Sequence, residues 1–380
     1  MSPPFHTAPD DCAAFQSPLM GAESLAALQR GIASSWRFEN RDEKRFLELD
    51  GLRGIAALGV LLYHYTTLFD RYFPDHQASP ATFWIGQFGV QLFFLISGYV
   101  IFWTAHRSRG PLDFLVLRFS RLYPTYWAAL AFGVLVVYAT GFTELYRSAA
   151  ELLTNVTMLQ RLVGIRDFDG VYWSLSVEIV FYAFILIVMV ISRNRIDGPW
   201  LTWLLWMWMG SGAAFVLWDA ARPDFLSHLL VVACAGLYAP LFSVGLLLYK
   251  NSGRVTIDVI MAYALSVLLS WVDGGAAAGA SVAALGLAFA AVVITRNIPV
   301  LRWRPLLWLG AISYPLYLVH QNMGYVVLAR SEPVIGRLPA MALALCLALL
   351  VAWLIHRAVE VSISRRVRDR LRALVGGSQS

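Results

Sequence analysis

Charge is what this chain lacks most: Asp, Glu, Lys and Arg make up 14% of its 380 residues, where soluble domains run nearer to about a quarter. That deficit excludes a pair of ordinary soluble domains. Lysine is almost missing, since of the 30 basic residues only Lys44 and Lys250 are lysine, and we read this as genome composition. Cysteine is scarce as well. Cys12, Cys234 and Cys346 stand far apart. They fit neither a metal spacing nor a disulfide framework, so a packing role and no bound metal are expected. No charged, apolar and small-residue succession precedes the first apolar run, so a cleaved signal peptide is not expected. No internal repeat is visible, which weighs against a transporter built from repeated halves. The net charge of +6 forms no basic stripe interleaved with aromatics, and nucleic acid is not an expected partner.

What is present is apolar surface. Hydrophobic residues reach 58%, and apolar runs of about twenty residues, each able to cross a bilayer as a helix, recur from Leu52 to Ile355. The chain therefore reads as an all-α polytopic membrane protein of about ten spans. They are placed at 52–70, 84–104, 122–140, 173–192, 200–218, 228–249, 255–272, 278–295, 305–328 and 338–357. With the N-terminus in the cytoplasm, the inner segments hold 22 Lys and Arg and the outer ones seven, with Arg53 inside a span. That asymmetry puts both termini in the cytoplasm, facing membrane lipid. The expected organisation is a partly disordered cytoplasmic arm over 1–45, a transmembrane domain over 46–360 and a basic tail over 361–380.

Ionisable residues inside such spans are costly and point to a cavity or pathway. Arg53 and His64 lie eleven residues apart within Leu52–Phe69, on one helical face about 16 Å apart in rise. Asp50 can pair with Arg53. The plain alternative is an Arg53 that snorkels and a His64 that only packs. In Trp173-Ser174-Leu175-Ser176-Val177-Glu178, the Ser174 and Glu178 side chains share a face at a depth near that of His64. A His–carboxylate pair would suit a general base, and Trp173 and Ser174 are substrate-binding candidates. Further on, Ser313, Tyr317 and His320 share a face around Pro315, so His64, Glu178 and His320 are expected in one polar chamber. Arg118 and Arg121, ahead of the third span, form a guanidinium pair suited to phosphate. The plain reading is basic charge meeting anionic lipid. Asp167 and Asp169 in the outer loop are candidates for sugar hydroxyls.

These stretches resemble the acyltransferase-3 family of membrane O-acyltransferases. The likeness runs through Leu49-Asp50-Gly51-Leu52-Arg53-Gly54 to His64, Gly89 to Tyr99, Arg118 to Pro124, Trp173 to Glu178 and Ser313 to His320, and covers about residues 46–360. It implies an inner-membrane enzyme that moves an acyl group, often acetyl or succinyl, from coenzyme A to a hydroxyl on a sugar or other small molecule. By the same resemblance Arg53 and His64 carry catalysis and Arg118 and Arg121 hold the donor; from their place beside His64 in the expected chamber, Glu178 or His320 is expected to orient or stabilise that base. Because the chain ends soon after the tenth span, the form without a fused outer domain is expected. Tyr317 joins Ser174 and Trp173 as a substrate contact. The acceptor is expected to be carbohydrate or a lipid-linked glycan. A secondary metabolite such as a macrolide, or a proton-coupled exporter of a sugar, stands as the alternative. Oligomeric state is left open.

Overall fold

The computed structural model describes residues 46–376, and the expected arm over 1–45 lies outside the described residues. Among these residues every regular element is helical. Helix α1 (Leu47–Tyr63) runs on through a π-helical turn (His64–Leu68) to a last turn, Phe69–Tyr72. Helices α2 (Gly89–Arg107) and α3 (Pro111–Ala139) follow. A connection carrying the short α4 (Ala149–Asn155) leads to α5 (Trp173–Ile191) and α6 (Trp200–Ala221). Then come α7 (Phe225–Ala233), α8 (Ala239–Lys250) and α9 (Ile257–Thr295). Helices α10 (Arg304–Ile335) and α11 (Arg337–Ile355) precede a second π-helical stretch, His356–Ile363, and α12 (Ser364–Gly376).

Seven helical stretches are long and apolar enough to cross a membrane, and the chain is an all-α polytopic membrane protein. Helix α10, which contains the span expected at 305–328, is long but is not among those seven, and other expected spans are interrupted or differently bounded. The one at 228–249 is broken by turns over 234–238. The two at 255–272 and 278–295 are one helical run broken at Gly275, whose φ of +75° suits a residue without Cβ. Helix α3 starts at Pro111 rather than 122. A proline needs no hydrogen-bond acceptor at a first turn, and the Asp113 carboxylate accepts the Arg109 N–H at 3.1 Å. Arg118 and Arg121 therefore stand on a helix wall and not in a loop. The expected basic tail is partly helix: Arg372 of α12 donates through Nε and Nη2 to Asp113 at 2.7 and 3.0 Å.

The packing that matters for function is that of α1 beside α10. The two run parallel, with Asp50 and Gly54 against Gly310 and, further along, Tyr65 against Gly324. Apolar side chains gain little by association in lipid, so close backbone approach through small residues holds such pairs together. A Cβ on Gly310 would overlap the Asp50 carbonyl, with the carbonyl carbon only 2.7 Å away. Gly310→Ala is accordingly expected to lower stability by about 1–3 kcal/mol, as overpacked cores do, measured as thermal unfolding in detergent. An unshifted transition would show that this seam gives way.

Candidate active site

A cavity enclosing about 740 Å3 of empty space, its open mouth included, lies between α1, α2, α3, α5 and α10. Arg53, Arg118 and Arg121 line it together with one carboxylate, Glu178. Helical register explains the convergence: Arg118 and Arg121 are one turn apart on α3, as are Ser174 and Glu178 on α5 and Ser313 and Tyr317 on α10. Arg118 is 7% exposed, its guanidinium carbon 5.7 Å from the Phe114 ring and 5.6 Å from that of Tyr182. Its Nε has no hydrogen-bond partner among the described residues. A buried, permanently charged donor left unpaired is costly, and an anionic ligand would relieve it. Glu178 accepts from Tyr182 Oη at 2.7 Å and from Ser97 at 3.4 Å. It thus belongs with the arginines. The expected His64–Glu178 pairing is absent from its hydrogen bonds, because Glu178 sits a full turn along α5 from Ser174, toward Arg118.

At its other end the cavity stops at Ser174 and Tyr317, whose hydroxyls lie 2.7 Å apart. The Tyr317 hydroxyl is also 3.1 Å from the Val171 carbonyl. Behind Tyr317, with ring centroids 5.8 Å apart, stands His320, and His320 Nε2 is 3.3 Å from His64 Nδ1. Neither imidazole lines the cavity. Their hydrogen bonds nevertheless dictate a proton order. His320 Nδ1 faces the Leu316 and Tyr317 carbonyls at 3.1 and 2.9 Å; carbonyls only accept, so the neutral ring carries its proton there and leaves Nε2 as an acceptor. His64 Nδ1 faces the Val60 carbonyl at 2.7 Å and must be protonated too, pointing partly at His320 Nε2. The lone pair of His64 is thereby assigned to its Nε2.

Three supports around this pair are invisible in the sequence motifs. The π-helical turn that begins at His64 displaces the backbone ladder. The Tyr65 carbonyl there accepts from buried Arg337 at 2.9 Å, and Arg337 also binds Glu332 and Asp70. Tyr65 Oη donates to the His320 carbonyl at 2.9 Å. Asp169 accepts the backbone N–H of Asn322 at 3.0 Å and that of Val171 at 3.2 Å. Burial pushes the Asp169 carboxyl up, to about 7, against those two N–H groups that favour the anion. Asp169 is 2% exposed and Asp167 8%; Asp167 pairs with Arg161 and Gln160, each at 2.7 Å. Asp167 fastens its own loop and Asp169 ties that loop to α10, so both carboxylates expected at a sugar are engaged by protein groups instead. Trp173 also departs from expectation. Its ring packs on Tyr238 and Phe94, with centroids 5.2 and 6.1 Å away, because one residue before Ser174 is a rotation of about 100° away from the cavity.

Arg53, Ser97, Arg118, Ser174 and Ser313 come from five separated stretches of sequence, yet they share one wall. A family described as Acyltransferase domain matches residues 46–357. The chain belongs to the acyltransferase-3 family. Among similar proteins, O-acetyltransferase OatA of Staphylococcus aureus is 25% identical over 383 residues, covering 87% of this chain and 59% of that protein. Acyltransferase MdmB of Streptomyces mycarofaciens is 29% identical over 147 residues, 36% of this chain and 38% of its own length. This acyltransferase-3 chain thus spans between 38% and 59% of the length of these relatives. No solved structure matches it.

Proposed function

We propose that this acyltransferase-3 protein transfers an acyl group, acetyl or succinyl, from acyl-CoA to a hydroxyl of cell-envelope or extracellular carbohydrate, with His64 as general base. The observation that carries this reading is the division of the site: a cationic cavity at one end, and an imidazole with a defined free lone pair just beyond the other. The protein would lie in the cytoplasmic membrane with its arginine end toward the cytosol, where acyl-CoA is found.

Arg118 and Arg121 would hold the nucleotide phosphates and Arg53 the mouth of the channel, while Glu178 and Tyr182 keep the guanidiniums in place. The thioester end would reach the hydroxyls of Ser174 and Tyr317. Transfer requires Tyr317 to move aside, since it separates the cavity from His320. His64 Nε2 then takes the proton of the acceptor hydroxyl as the oxygen attacks the thioester carbonyl. Collapse of the tetrahedral intermediate breaks the C–S bond, and the departing thiolate recovers that proton from His64. The products are an ester and free coenzyme A. His320, accepting from His64 Nδ1–H, orients the base and helps to disperse its transient charge. Among the described residues of this site none is arranged as an activated Ser or Cys nucleophile, which favours direct transfer over an acyl-enzyme.

The test is incubation of the purified protein with labelled acetyl-CoA or succinyl-CoA and cell-envelope extract. Label in an alkali-labile ester on carbohydrate is the expected result. Movement of a sugar across vesicles without consumption of acyl-CoA would instead establish an exporter.

A further inference from the structure

Beside His64, and outside the cavity lining, two buried polar atoms have no hydrogen bond among the described residues. The Gln321 side chain is 5% exposed, lies against the His64 ring, and its carbonyl oxygen is fully buried without a hydrogen bond among the described residues. One turn along α10, the Tyr325 hydroxyl is also buried and unpartnered, its ring centroid 6.4 Å from that of His64. Leaving a buried amide oxygen and a phenol hydroxyl unsatisfied is expensive, and both side chains stand beside the His64 ring.

Gln321 is also held in place with care. Asp169 fixes the backbone of the next residue, Asn322, and Gly170 provides the space for the carboxamide. A Cβ on Gly170 would overlap the amide nitrogen and lie 2.8 Å from its oxygen and 3.0 Å from its carbon. Beyond Tyr325, ring centroids 6.2 Å away, stands Tyr72, 58% exposed at the end of α1. The unpaired groups thus lie along a line from an exposed aromatic rim down to the base.

We propose that Gln321 and Tyr325 bind the acceptor, a polyhydroxylated ring that enters past Tyr72 with its reacting hydroxyl on His64 Nε2 and a neighbouring hydroxyl on the Gln321 carboxamide. A carboxamide both donates and accepts, which matches a sugar hydroxyl that does the same. The acceptor then meets His64 from outside the donor cavity. This inference rests on the acyl-transfer reading above.

The decisive experiment measures steady-state kinetics with labelled acetyl-CoA and, as acceptor probe, an alkali-deacylated carbohydrate extract of the cell envelope. Gln321→Leu and Gly170→Ala are compared with the wild type. The first deletes the amide; the second displaces it at small cost to the fold, because the atoms in its way are the movable end of a side chain. Both are expected to raise the KM for the extract about tenfold, the scale of one lost buried hydrogen bond, with the KM for acetyl-CoA changed by less than about twofold. Tyr325→Phe is expected to raise it in the same direction. Because the buried Gln321 carbonyl oxygen has no hydrogen bond among the described residues, Gln321→Leu is expected to leave thermal unfolding unchanged or raised, whereas a structural amide would lower it. An unchanged acceptor KM in both variants would overturn the inference while leaving the acyl-transfer reading intact. So would equal rises for donor and acceptor. A wild-type protein that transfers no label to the extract would instead strike the underlying reading, and the inference with it.

Discussion

Replacing His64 by alanine is expected to reduce acyl transfer by about 10²–10⁴-fold, the range in which a positioned general base operates, with acyl-CoA affinity unchanged. The separation of the two effects follows from the geometry. Arg53, Arg118 and Arg121 line the cavity and His64 does not, so removing the imidazole leaves the charged donor surface as it was. The loss belongs to Nε2, since Nδ1 is committed to the Val60 carbonyl and to His320. Equilibrium binding of labelled acyl-CoA to detergent-purified His64→Ala, measured beside its turnover, checks both halves. Full turnover in the variant would remove the base, and weakened donor binding would place the imidazole at the donor instead.

The second large effect is expected at Arg118 and Arg121. A charge-assisted hydrogen bond contributes about 1.5–3 kcal/mol, so Arg118→Ala or Arg121→Ala is expected to raise the KM for acyl-CoA roughly 10- to 150-fold. The first of the two should be the larger, because Arg118 is buried between Phe114 and Tyr182 with an unpaired Nε and a contact shielded from water is the less screened. Arg118→Lys restores charge without the planar fork and should recover only part of the loss. Initial rates at varied acyl-CoA check this. A fall in kcat at constant KM would reassign these residues from holding the donor to the chemical step.

Much of this arrangement was legible in the sequence, for reasons that differ residue by residue. Long apolar runs announce helices wherever they stand, and helical spacing put Ser174 with Glu178, and Ser313 with Tyr317, before any coordinates. Charge in an apolar context marked Arg53, and the i, i+3 spacing of two guanidiniums marked Arg118 and Arg121. What failed was pairing across helices: Glu178 and His64 looked equal in depth, but depth counted from uncertain span ends is good only to several residues, and Glu178 lies with the arginines. Trp173 was a neighbour of Ser174 in sequence and turned away from it in space. Gln321 and Tyr325 carried no signal, because an amide and a phenol in an apolar helix are ordinary until their lack of partners is seen. The π-helical turn at His64 likewise depends on Arg337, nearly three hundred residues away in the chain.

The backbone contact between Gly310 and Asp50 makes α1 and α10 a single rigid strut, and both imidazoles ride on it. A strut of this kind cannot slide to admit a substrate. On the proposed route, the passage between cavity and His64 would be opened by the lighter parts that lean on this strut: the Tyr317 ring swinging on its own bonds, or the first turn of α5 retreating with Ser174.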